Sequence, residues 1–141
     1  MHSRLVRSLS FLALAVTAVA CSDGVGPDRS RAAVAGVYML ATVNGEELPS
    51  SDASAPVSGM MYLWPSGHTE RRVTYRVGDG QTQTITATGT FRVEDGLVVL
   101  DLQVEPDAQP WTIRASVDGS SLVIAYPGPA DGTIVERYRR F

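Results

Sequence analysis

From Gly36 onward this chain is broken by turn signals at short, fairly even intervals, and that punctuation limits the fold more than any other feature. Asn44-Gly45, Pro65-Ser66-Gly67, Gly78-Asp79-Gly80, Asp95-Gly96, the Pro106 to Pro110 break, Asp118-Gly119 and Pro127 to Gly132 mark the breaks. Such residues accept the backbone angles that tight turns need. Between them lie eight runs rich in Val, Ile, Thr and aromatic residues, at 36–43, 59–64, 68–77, 81–93, 97–104, 111–117, 121–126 and 133–141. That enrichment is the signature of strands, and no helical stripe competes with it. Most of the links are only two to six residues long. A parallel crossover needs a dozen or more, so successive strands must pair antiparallel as hairpins. The chain reads as a meander.

Side-chain alternation shows how the meander is buried. Val98, Leu100, Leu102 and Val104 share one face while Asp101 and Gln103 take the other. Trp111, Ile113, Ala115 and Val117 alternate with Thr112, Arg114 and Ser116, and Leu122, Ile124 and Tyr126 continue the apolar layer. A meander with one apolar face and no helix to cover it must bury that face against itself. The expected architecture is therefore all-β, an eight-stranded antiparallel up-and-down barrel, with a two-sheet β-sandwich as the alternative. The candidate interior residues Tyr38, Leu40, Met60, Tyr62, Trp64, Tyr75, Phe91 and Trp111 are bulky. They predict a mostly filled barrel with a shallow pocket at one mouth. Thr82, Thr84, Thr86, Thr88 and Thr90 mark an outer wall. The arginines Arg71, Arg72 and Arg76 read as a solvated, ion-paired outer face, although Arg71 shares its face with Val73 and Tyr75 rather than with Arg72 and Arg76.

The N-terminal residues have a different character. Arg4 and Arg7 precede the apolar run Leu9 to Ala20, which ends on Cys21, the chain's single cysteine. Charge, apolar length and small residues before the cysteine read as a secretory signal peptide over 1–20. The run is well short of the about 20 apolar residues that a spanning helix requires. Ala18-Val19-Ala20-Cys21 resembles the lipobox of bacterial lipoproteins. The resemblance implies that the Cys21 sulfur carries diacylglycerol and that Cys21 begins the mature chain, held on a membrane by its acyl chains. By resemblance to lipoprotein sorting in double-membrane bacteria, Ser22 in place of aspartate implies the periplasmic face of the outer membrane. Residues 21–35, mixing Gly, Pro, Ser and both charge signs, read as the lipidated cysteine and a flexible tether. One domain remains, over 36–141, expected to be a monomer.

Charge and chemistry exclude several functions. Without Arg4 and Arg7 the mature chain has ten arginines, no lysine and fifteen acids, about −5 in all, which disfavours nucleic acid as a partner. His68 is the only imidazole beyond the signal peptide, and it follows a turn at the start of a charged strand. No serine or cysteine has a second candidate base. Metal ligands are too few for zinc, and Glu46, Glu47 and Asp52 lack the regular steps of a calcium loop. No glycine-rich loop opens a helix to cradle phosphate. The chain is therefore expected to be non-enzymatic, with no catalytic residue, no metal and no cofactor.

The opening GVYMLATVNGEELP (36–49), with Gly-x-aromatic, Asn-Gly and Leu-Pro, and the closing ERYRRF (136–141) together resemble small bacterial lipocalin-like domains. That resemblance implies an aromatic residue on the first strand, here Tyr38, covered by an arginine of the last strand, Arg139 or Arg140, at the barrel bottom. The expected function is a structural or protein-interaction role in the cell envelope. The alternative is binding or carriage of a small apolar ligand through Tyr38, Met60, Tyr62, Trp64 and Trp111.

Overall fold

The computed structural model describes residues 29–51, 55–104 and 109–141. The signal peptide, Cys21 and residues 21–28 of the expected tether lie outside the described residues. A short helix α1 (Arg29–Val34) leads into nine strands: β1 (Gly36–Val43), β2 (Glu46–Glu47), β3 (Pro56–Leu63), β4 (His68–Val77), β5 (Gln81–Glu94), β6 (Leu97–Val104), β7 (Trp111–Asp118), β8 (Ser121–Pro127) and β9 (Thr133–Arg140). Apart from β2, each is antiparallel to its sequence neighbours. The first and last strands pair as well, Tyr38 opposite Arg140 and Val43 opposite Glu136. That pairing closes an eight-stranded barrel and excludes the two-sheet sandwich. The extra strand β2 pairs only with the end of β1, Thr42 opposite Glu47.

Turn chemistry explains the sharp reversals. Asn44 and Gly45 take φ of 53° and 85°, and Asp95 and Gly96 take 51° and 79°. Positive φ at both central positions matches the right-handed twist of the hairpins they join. Inside β5, a Cβ on Gly89 would lie 1.8 Å from the Asp101 carbonyl oxygen, so only glycine allows β5 and β6 to approach this closely.

The barrel is filled. Leu40, Met61, Leu63, Val73, Phe91, Leu100, Leu102, Ile113, Leu122 and Ile124 are buried along its axis. At roughly 1.5–3 kcal/mol for each large apolar side chain withdrawn from water, this layer dominates the stability of the fold. The alternation expected in β6 and β7 is present, with Val98, Leu100, Leu102, Ile113 and Ala115 inward. Val99, on the opposite face, is also buried, flanked by Arg92 and Arg114 on the neighbouring strands.

Residues 29–35 differ from the expected tether, because they fold onto one end of the barrel. The Ala35 amide closes the helical turn on the Arg31 carbonyl at 2.9 Å. The Tyr38 hydroxyl donates to the Val34 carbonyl at 2.6 Å. Arg140 donates to the carbonyls of Ala33 and Ala35. Its guanidinium carbon stands 6.0 Å from the centre of the Tyr38 ring. Six residues do not sustain a helix in water, so these tertiary contacts hold α1.

Candidate functional site

The five residues expected to line one apolar pocket do not share a surface. Tyr38 faces inward at the α1 end, while Trp111 begins β7 at the opposite end. Met60, Tyr62 and Trp64 point outward, a correction to the interior assignment. β3 is apolar on both faces, so its sequence has no alternation to reveal parity, and the inward positions belong to Gly59, Met61 and Leu63. Tyr38 accordingly sits opposite Met61 rather than Met60 or Tyr62. On the outer wall the Tyr62 and Trp64 rings stack at 5.6 Å, and Trp64 stacks on His68 at 5.0 Å. The Tyr62 hydroxyl contacts the Met60 sulfur at 3.4 Å, and the Arg72 guanidinium carbon lies 5.7 Å from the Tyr62 ring centre.

The chemistry inside the barrel centres on a charged pair that was not expected there. Arg71, assigned to the solvated face with Arg72 and Arg76, is only 7% exposed, and its partner Glu136 is wholly buried. Arg71 Nη2 donates to Glu136 Oε1 at 2.7 Å and Oε2 at 2.8 Å. Arg71 Nε donates to the Tyr138 hydroxyl at 3.0 Å, which in turn donates to Glu136 Oε2 at 2.8 Å. The Tyr126 hydroxyl completes the set by donating to Glu136 Oε1 at 2.7 Å. Trp111 flanks it, its ring centre 5.9 Å from the Arg71 guanidinium carbon. Arg72 and Arg76 are exposed as expected.

The signal for Arg71 was present in its parity. It shares a face with Val73 and Tyr75, just as Glu136 shares one with Ile134 and Tyr138. What the sequence lacked was the pairing itself, because β4 and β9 face each other across the closed barrel and are not neighbours in the sheet.

Electrostatics follows from this geometry. Burial alone lowers the pKa of Arg71, and Tyr138 and Glu136 more than reverse that, so the guanidinium stays charged. Burial, reinforced by the Glu136 carboxylate, pushes Tyr126 up and Tyr138 well up, so both phenols stay protonated and able to donate. Each Glu136 oxygen accepts two donors, leaving the carboxylate occupied rather than poised as a base.

Above this cluster, at the mouth opposite α1, lies a recess of about 280 Å³. Val43, Pro56, Tyr75, Tyr126 and Ile134 form its walls, and Glu136 reaches its floor. It falls just below the usual range of small-molecule pockets, about 300–1,000 Å³. Its size suits a single ring or a short chain. A wider, shallow dip of about 410 Å³ lies over the Pro127 to Thr133 turn and shares only Tyr126 with the recess. Among the described residues no group of three or more His, Cys, Asp and Glu side chains converges to hold a metal ion.

No protein-family model matches the chain, and no curated protein is similar to it. Among solved structures it is similar to the wild-type fluorescent protein UnaG, with 10% sequence identity and a TM-score of 0.42, over 76% of this chain and 96% of that one.

Proposed function

We propose that the chain is a non-catalytic, lipid-anchored envelope domain that binds a small, mainly apolar molecule with one polar end at the open mouth of its barrel. The supporting observation is the buried Arg71–Glu136 pair beneath the recess. A barrel filled only for stability would do as well or better with apolar side chains there, since a buried ion pair seldom repays its desolvation. Its retention next to open space favours recognition over packing. The apolar part of the ligand would rest on Val43, Pro56 and Ile134, and its polar end would meet the Tyr126 hydroxyl, which has acceptor capacity left after donating to Glu136. The lipobox resemblance around Cys21 supports the anchor, and the occupied Glu136 carboxylate supports a binding role rather than catalysis.

Titration with short fatty acids, phenols and quinones is the test, followed through the emission of Trp111, which neighbours Arg71. Saturation near one ligand per chain is expected, with several-fold weaker binding in Tyr126→Phe and no loss of fold. A second reading, a structural or protein-interacting envelope domain, draws support from the filled interior. It prevails if no compound gives a saturable change. For the anchor, Cys21→Ser should leave unprocessed precursor or release the protein from the membrane fraction, and equal retention of the mutant would sink it.

A further inference from the structure

We infer that the outer wall formed by β1 and β3 rests on the surface of a bilayer leaflet that contains anionic phospholipid. This rests on the proposed acylation of Cys21.

The strand register assembles the wall from two rows. Met39 and Met60 lie opposite each other, with Arg139 beyond Met39 and Arg72 beyond Met60. Val37 lies opposite Tyr62 in the next row, and the Phe141 amide bonds to the Val37 carbonyl at 2.8 Å. Trp64 follows Tyr62 along β3 toward the α1 end. Met39 is 48% exposed, Trp64 38% and Phe141 91%. Between them Val37, Tyr62, Trp64 and Pro65 line a groove of about 280 Å³. Other exposed apolar residues, such as Val77, Ile85 and Val117, sit on other strands amid threonines and charges, as solitary surface residues commonly do.

Three arguments select lipid as the occupant. First, only residues 22–28 separate Cys21 from α1. However arranged, the eight steps from Cys21 to Arg29 reach at most about 29 Å. An acyl anchor therefore holds the α1 end, where Trp64 and Phe141 lie, close to the headgroups. Second, tryptophan and tyrosine favour the water–lipid boundary, where an apolar ring and a polar tip are both accommodated. Third, Arg139 and Arg72, the latter ion-paired with Glu70 beside Tyr62, flank the apolar rows, and guanidinium groups pair readily with phosphate.

The test uses the full acylated chain in vesicles of phosphatidylcholine and phosphatidylglycerol. In Trp111→Phe, Trp64 is the sole tryptophan. Its emission should shift to shorter wavelength and lose intensity when the lipids carry bromine on their acyl chains. In Trp64→Phe, Trp111 at the far mouth should show neither change. If Trp111→Phe folds poorly, the difference between the unmodified chain and Trp64→Phe reads the same quantity. Charge reversal in Arg72→Glu with Arg139→Glu should reduce the quenching. An acylated, vesicle-bound chain whose Trp64 is not quenched by brominated lipid overturns the inference alone, whether Trp64 is open to aqueous acrylamide or covered by a second copy. A chain whose Cys21 carries no diacylglycerol by mass spectrometry overturns the anchor and this inference with it.

Discussion

The two ends of the barrel are closed by different means. At the α1 end, polar groups meet backbone partners: Tyr38 donates to Val34, and Arg140 donates to Ala33 and Ala35 while keeping its charge near water. At the mouth, Arg71 and Glu136 are withdrawn from solvent and satisfied by each other and by two tyrosines, beside an open recess. The first arrangement is an inexpensive seal. The second costs desolvation of two charges, which well-packed apolar side chains at the same place would avoid.

The widest separation between the ends should come from breaking the charge pair. Glu136→Leu strands Arg71 in the barrel, and urea unfolding should show a loss of about 3–5 kcal/mol. Arg71→Met combined with Glu136→Leu should recover most of it while abolishing ligand response. A double variant as unstable as the single would mean that the pair is itself a stability device, and the contrast between the ends would collapse.

Alkaline titration sharpens the comparison further. Tyr126 and Tyr138 have folded-state pKa values raised above the free-tyrosine value of 10.0. Their contribution is fully present below that pH and is lost as pH rises through the folded values, because the unfolded chain releases those protons first. Stability should therefore hold up to about pH 10 and decline beyond it. Tyr126→Phe should flatten that decline, as followed by tyrosinate absorbance alongside unfolding. Burial also raises Tyr38, partly opposed by Arg140, so Tyr38→Phe should flatten it too.

The smallest effect belongs to the seal. Tyr38→Phe keeps the ring and removes only the hydroxyl bond to Val34, so the loss should be about 0.5–1.5 kcal/mol. Amide exchange at Ala35 should quicken as α1 loosens, with no change in ligand response. A changed response would show that the two ends are coupled.

Legibility in the sequence follows the same physical lines. Strand limits were readable because glycine and asparagine turns are local chemistry: 68–77, 97–104 and the first strand at 36–43 match β4, β6 and β1. Inward faces were readable wherever polar residues alternate, as with Asp101 and Gln103 in β6. They were unreadable in GMMYLW, where both faces are apolar and the largest side chains lie outside. β3 also begins earlier than expected, at Pro56, a first-residue position where a missing amide is tolerated. The two-residue β2 has no compositional mark. Residues 29–35 read as tether because their order comes from Tyr38 and Arg140, distant in sequence. The charge pair beneath the recess was hidden for a related reason, since an arginine is ordinarily a surface residue until its buried acid is known.

The seam between β1 and β9 carries a kinetic consequence. Every other barrel pairing joins strands that follow one another and can zip locally, whereas this one waits for Tyr38 to meet Arg140 across nearly the whole domain. Long-range closure has little entropy to spare and comes late. Without the β9 pairing, the sheet would have two unpaired edges. Glu136 stands on that closing strand, so the barrel's most demanding contact depends on the same pairing as its longest-range ladder.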